Sequence, residues 1–227
     1  MANPDARDLL IEIGTEELPP KALFALAEAF EQGIRTGLEK AGLISGAIQR
    51  VATPRRLALR VRSLMTSQPD QEIVRKGPTI QSAFDAHGQP TPAALGFARA
   101  CGVDITAVAR EDSPKGAWLI VRQFQPGRPT SELLIPLIER ALAGLPIPKR
   151  MRWGEREEEF VRPVHWVVLL FGSDLVPGHV LGVPAGRDTF GHRFHRPGPI
   201  RLSDPDDYDE LLRETGRVEP DFARRRE

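Results

Sequence analysis

The chain has 227 residues, and its 31 basic and 31 acidic side chains give a formal net charge of zero. A 41% hydrophobic share sustains a real core, and a chain of this size buries about 70% of its unfolded surface. Neutrality argues against a dedicated nucleic-acid clamp but leaves room for a local basic patch. One cysteine, Cys101, excludes an internal disulfide and a cysteine-rich zinc site, which fits a reducing cytoplasm. The first residues lack a positive stretch followed by an apolar core, so they do not read as a signal peptide. The longest apolar run, residues 166–171, is far too short for a bilayer. A soluble cytoplasmic protein without membrane contact is therefore expected.

Residues 9–13 alternate around Glu12 and predict a first strand closed by Gly14. Pro20 suits a helix start, and Leu23, Leu26, Ala27, Phe30, Ile34 and Leu38 make one apolar helix face, with Gly42 as a stop. Two strands, residues 48–52 and 57–61, flank Thr53-Pro-Arg-Arg56. In the second, Leu57, Leu59 and Val61 alternate with Ala58, Arg60 and Arg62, which predicts one buried and one wet face. A strand over 72–75 is followed by a helix over 91–101, capped by Thr91 with Pro92 in its first turn. A strand over 116–124 leads to a helix over 130–145 and an irregular stretch over 146–154. Strands over 165–171 and 176–183, a polar loop over 187–199 and a helix opening at Ser203 complete the pattern. About seven strands and four helices in mixed order predict an α/β (α+β mixed) fold, a mixed sheet with flanking helices. One mixed α/β domain is expected over 1–202, followed by a helical segment over 203–227. Ending on Arg224-Arg-Arg-Glu227 without a closing element, the sequence reads as cut, with further chain downstream.

No phosphate-cradling G-x-x-x-x-G-K-[ST], dinucleotide glycine motif, G-x-S-x-G elbow or H-E-x-x-H is present, so no catalytic residue is assigned. His165, His192 and His195 have permissive spacing for a metal, but ordinary polar loop roles explain them, and no metal site is assigned. Glu16 and Glu17 are read as facing the positive end of the following helix. Glu12, on a sheet face, calls for an arginine partner such as Arg55 or Arg56. Cys101 reads as a buried bystander. The basic segments Pro54-Arg-Arg56, Lys149-Arg-Met-Arg-Trp153 and His192-Arg-Phe-His-Arg196 mix cations with aromatic rings, the combination that neutralises phosphates and stacks on unpaired bases. On composition alone, solvated loops and internal ion pairs remain an equal alternative.

Taken together, several segments are recognisable. Glu12-Ile-Gly-Thr-Glu-Glu-Leu-Pro-Pro-Lys-Ala22, Ala52-Thr-Pro-Arg-Arg-Leu57, Lys76-Gly-Pro78, Gly96-Phe-Ala98 and Lys115-Gly116 occur in order. They are followed by Pro146-Ile-Pro-Lys-Arg-Met-Arg-Trp-Gly154, Phe160-Val-Arg-Pro-Val-His-Trp166 and Gly191-His-Arg-Phe194. This ordered set resembles the opening of the β chain of the heterotetrameric bacterial glycyl-tRNA synthetase, from Leu9 to about Asp221. The resemblance implies a region similar to the B3/4-type domain of the phenylalanyl-tRNA synthetase β chain. It also implies an α subunit partner in an α2β2 complex, with ATP and Mg used by that α subunit and no cofactor in these residues. The family's β chain continues into a helical HD-type region and an anticodon-binding domain, so anticodon recognition is not assigned here. The implied role is binding and positioning of tRNA(Gly) and subunit assembly. The candidate tRNA contacts are Arg55, Arg56, Lys149, Arg150, Arg152, Arg193 and Arg196, with Trp153, His165, His192 and Phe194 packing or stacking nearby. An editing-type hydrolase of mischarged tRNA and a purely structural brace between subunits are the alternatives.

Overall fold

The computed structural model describes residues 6–114, 116–155, 157–222 and 224–226. The first five residues, Lys115 of the Lys-Gly pair and Glu227 lie outside the described residues. In chain order the elements are β1 (Ala6–Thr15), α1 (Leu23–Lys40), β2 (Ile48–Thr53), β3 (Arg56–Met65), β4 (Gln71–Thr79), α2 (Ile80–Ala83), α3 (Pro92–Ala100), β5 (Ala109–Ser113), β6 (Gly116–Gln125) and α4 (Thr130–Ala143). They continue with β7 (Val164–Phe171), β8 (Asp174–Leu175), β9 (His179–Val180), β10 (Val183–Gly186), β11 (Asp188–Phe190), β12 (Pro199–Arg201) and α5 (Tyr208–Glu214). Contacts divide the chain into residues 1–68 with 128–227, and residues 69–127. This division differs from the expected boundary at 202/203, because residues after 202 pack into the first unit's core.

The first unit is built on a sheet ordered β2-β3-β1-β7-β10-β9, with β8 also on β7. Its pairings are antiparallel except for β7 with β10, which is parallel, so the expected mixed sheet with flanking helices is observed. Residue parity decides which side chains meet which layer. Leu9, Ile11 and Ile13 of β1 join Leu57, Leu59 and Val61 of β3 under α1 and α4, whose buried stripes include Phe30, Ile34, Leu137 and Ile138. The helices approach closely where Gly33 meets Ala141, since an added Cβ would lie 2.9 Å from the alanine methyl. On the opposite face Leu10, Ala58, Val168 and Leu170 pack beneath Leu202, Tyr208 and Leu212.

That second layer overturns the expected wet face of β3. Ala58 and Arg60 are both buried, and Arg60 Nη2 donates to Gln49 Oε1 at 2.6 Å and Asp209 Oδ2 at 2.9 Å. The alternation in β3 is therefore sandwiched at Ala58 and Arg60, with Arg60 an internal partner for Asp209 of the covering segment, while Arg62 stays 39% exposed and pairs with Asp8 and Asp206.

Three other expectations are corrected. The strand over 176–183 is broken into β9 and β10, because Gly178, Leu181 and Gly182 take positive φ values of 150°, 49° and 70°. Leu181 tolerates this strained region with its amide donating to Glu139 Oε1 at 2.7 Å. The polar loop over 187–199 is bounded by a two-stranded hairpin, β11 with β12, in which Thr189 is buried opposite Ile200. The helix opening at Ser203 is instead capped by Asp204, whose carboxylate accepts from Asp206 N while Asp207 Oδ2 accepts from Asp204 N at 3.1 Å. This reciprocal cap satisfies amides that a helix start leaves unpaired.

In the second unit β4, β6 and β5 form an antiparallel sheet in the order β4-β6-β5, where β5 was not foreseen. Ala83, Ala94 and Leu119 form its small core. Thr91 sits at the N-cap position of α3, but its hydroxyl donates to Ser82 O at 2.7 Å rather than serving the helix amides. Cys101 is buried. Among the described residues, no helix is long and apolar enough to cross a membrane.

Candidate functional site

One end of the first unit's sheet gathers most of the singled-out residues. The end of β1, the turn before β3 and the start of β7 meet there because antiparallel register sets Gly14 opposite both Arg56 and Trp166. Backbone bonds lock the segments: Thr15 N donates to Arg55 O at 2.9 Å, Glu16 N to Pro163 O at 3.0 Å, and Leu18 N to Pro54 O at 2.6 Å. The loop over 191–198 closes over this end. Its base is fixed by His192 N donating to Gly216 O at 2.7 Å, and a Cβ at Gly191 would lie 2.5 Å from that same carbonyl oxygen.

Below the surface lies a buried polar node. Glu12 is fully buried (0% exposed) and accepts from Trp166 Nε1, from Tyr208 Oη and, at 2.7 Å, from Thr189 Oγ1. Arg56, 2% exposed, stands 3.6 Å from the Glu12 carboxylate. Its remaining donors reach Thr53 Oγ1 at 3.1 Å, Thr189 Oγ1 at 3.3 Å and the Phe190 carbonyl. Burial, then the negative Glu12 carboxylate, pushes the Tyr208 phenol well above its ordinary 10.0, so it stays a proton donor. Burial pulls the Arg56 guanidinium down, but Glu12 and Tyr208 more than offset this and leave it raised. Such a charge survives burial because it is paired and hydrogen-bonded.

Unlike the other candidate contacts, Arg56 is buried at 2% exposure and its guanidinium is turned inward to partners within the protein. It is instead the arginine partner that Glu12 was expected to require. Glu16 and Glu17 also differ from expectation, since α1 begins only at Leu23 and both carboxylates pair with cations. Glu16 Oε1 lies 3.0 Å from His165 Nε2 and 3.7 Å from Arg55, and Glu17 Oε1 accepts from Arg193 Nη1 at 2.7 Å.

Above the node, Arg55, His165, His192, Arg193, Phe194 and Arg196 are brought together around two adjoining cavities. One, of about 250 Å³, includes Arg55, His165, Arg193 and Arg196 in its lining. The other, of about 270 Å³, includes Arg55, His192, Arg193 and Phe194, and adds Arg217 and Arg225. The last two were missed in the sequence because they sit after α5, where only the folded chain returns them to this end. His192 Nδ1 accepts from the amides of Phe194 and His195, both at 3.3 Å, so it shapes the loop. No group of three or more His, Cys, Asp or Glu is placed to hold a metal among the described residues.

Arg152 pairs with Glu159 at 2.8 Å, and Arg150 donates to the Ala143 carbonyl at 2.8 Å. Lys149 is exposed, while Trp153 packs against the main core and, with His165, lines a third cavity of about 500 Å³.

The Glu17–Arg193 pair has a pH signature. The Glu17 backbone amide first, and Arg193 second, hold this carboxyl below its ordinary 4.5. A folded value below the unfolded one means the contribution is present above about 4.5 and is lost as pH falls through the lowered folded value. Carboxyl NMR titration should give Glu17 a midpoint under 4.5, moving part of the way back in Arg193→Gln. A midpoint unmoved by that substitution would dismiss the pair.

The chain is similar to proteins named as subunits of an aminoacyl-tRNA synthetase. The protein named glycine–tRNA ligase beta subunit from Hahella chejuensis is 52% identical over 220 residues, covering 97% of this chain and 32% of that protein. Its namesake from Stutzerimonas stutzeri is 52% identical over 222 residues, 98% of this chain and 32% of its own length. That from Edwardsiella ictaluri is 50% identical over 217 residues, 96% and 32%. The family model described as glycyl-tRNA synthetase beta subunit matches residues 9–227, and the chain belongs to that family. It spans about a third of the length of the curated relatives it matches.

Proposed function

We propose that this chain is the N-terminal part of a glycyl-tRNA synthetase β subunit that binds and positions tRNA(Gly) and helps assemble the complex with the α subunit. The observation that carries the reading is the convergence of Arg55, Arg193, Arg196 and Arg217 with exposed Phe194 on one end of the sheet. A chain with zero net charge that concentrates arginines on one surface has a local, not global, attraction for a phosphate backbone. The reading assigns adenylate chemistry, with its ATP and Mg, to the α subunit of an α2β2 complex in the cytoplasm. The likeness to a B3/4-type domain belongs to the same reading.

The test is binding of tRNA(Gly) by the α–β complex across a salt series, with Arg196→Ala and Arg217→Ala as variants. The Arg196 guanidinium donates to Pro197 O at 3.0 Å within its own loop, and the backbone amide that donates to His192 O at 2.9 Å is kept in the alanine variant, so the core stays intact. Affinity should fall with salt, and each variant should weaken binding and reduce the salt slope by about one. Unchanged slopes in both variants would remove this surface from tRNA binding.

A further inference from the structure

The two cavities flanking residues 191–198 have a composition more specific than a phosphate-binding strip. Arg55 stands in the wall of both. Its nearest acids are ion-pair contacts at 3.7 Å to Glu16 and 4.0 Å to Glu17, beyond hydrogen-bond length. Its buried Nε has no hydrogen-bond partner among the described residues. A buried donor left unpaired costs about 1–3 kcal/mol, so a site that keeps one at a cavity wall gains when an acceptor arrives. Arg193 shares this wall, and Arg217 lies in the larger cavity. Phe194 rises beside them with 75% of its surface exposed, and Arg193 lies 5.0 Å from its ring centre.

A single exposed phenyl ring is ordinary on a surface, and what distinguishes Phe194 is its place beside Arg193 at the rim of a cavity. Here the loop is not slack: Gly191 abuts Gly216, and His192 Nδ1 holds the amides of Phe194 and His195. The ring is thus presented rigidly at the rim of a cavity of about 270 Å³, with guanidinium groups behind it. A cationic wall takes a phosphate, an open aromatic face takes a base, and a paired base has no free face to offer.

We infer that this pocket receives one unpaired nucleotide of the bound RNA, with its base stacked on Phe194 and its phosphate on Arg55 and Arg193. The inference rests on the tRNA reading and narrows it from backbone attraction to recognition of a single-stranded position. Arg193 must exchange Glu17 for the phosphate, and the exposed Glu17 carboxylate is then released to solvent.

The test uses the full-length β subunit and two probes, a fluorescent single-stranded tetraribonucleotide and the same sequence in a blunt duplex, with adenosine monophosphate as competitor. The expected result is preference for the single strand, about tenfold weaker binding in Phe194→Ala, and retention in Phe194→Trp, since stacking depends on an aromatic face. Arg55→Gln should weaken the single strand and leave the fold unchanged by circular dichroism. Equal binding of duplex and single strand, or indifference to both Phe194 variants, would overturn the inference. So would tight capture of the free mononucleotide with no binding of the oligonucleotide. If tRNA binding responds to Arg196 and Arg217 while the tetranucleotide ignores Phe194, the tRNA surface stands and the nucleotide pocket falls. If neither RNA binds, both readings fall.

Discussion

Replacing Arg56 with methionine is expected to lower the unfolding free energy by about 3–5 kcal/mol, a large share of the 5–15 kcal/mol that holds a domain together. The reason is what remains. Glu12 stays fully buried with its charge, and Trp166, Tyr208 and Thr189 supply hydrogen bonds but no compensating positive charge. Three further acceptors, Thr53, Thr189 and the Phe190 carbonyl, lose their donor at the same time. The double variant Glu12→Gln with Arg56→Met should recover much of the loss, because the amide oxygen still accepts while no charge is stranded. Denaturant unfolding of Arg56→Met, Glu12→Gln and the double variant measures this as a coupling energy. If the single and double variants are equally unstable, Glu12 and Arg56 are not acting as a pair. The Phe190 carbonyl opens the 191–198 loop, so the Arg56 variant should also loosen the surface proposed to meet tRNA.

Gly14→Ala is expected to be nearly as damaging, by about 3–5 kcal/mol, though it adds only one methyl group. That methyl would sit 1.9 Å from Trp166 Cε2, so the indole has to leave its place across β1. Overpacking of this kind costs about 1–3 kcal/mol. The displaced ring also gives up its hydrogen bond to the charged Glu12, worth about 1.5–3 kcal/mol, and its tilted contact with Phe190 at 4.8 Å. Gly14 does not carry a positive φ among the glycines that do, so conformational freedom is not the issue. The distinguishing measurement is the same substitution in a Trp166→Ala background. There its cost should drop below about 1 kcal/mol, since the clashing ring is gone. A full-sized penalty in that background would place the fault in the backbone instead.

The candidate site was partly legible in the sequence. Arg55, Arg193, Phe194 and Arg196 were picked out because cations beside aromatic rings in turn-rich segments suit phosphate and base contacts, and the fold brings them to one end of the sheet. Arg56 sits in the same basic dipeptide as Arg55, yet the two point to different worlds. Adjacent residues of a strand end face opposite directions, and whether the inward side is core or solvent depends on a layer supplied some 150 residues later by Tyr208 and Leu212. The same missing layer explains why Ala58 and Arg60 were expected to be wet.

By itself, the sequence determined the local elements whose periodicity is long: β1, α1, α4 and β7, where apolar side chains repeat at the spacing of one buried face. It also carried enough ordered motifs to identify the family. Only the tertiary structure decided how the 176–183 run breaks, that residues 69–127 form their own unit, and that Glu12 and Arg56 close a buried pair. Those outcomes rest on contacts between segments far apart in the chain. Burial and charge pairing are properties of such contacts, and no window of neighbouring residues contains them.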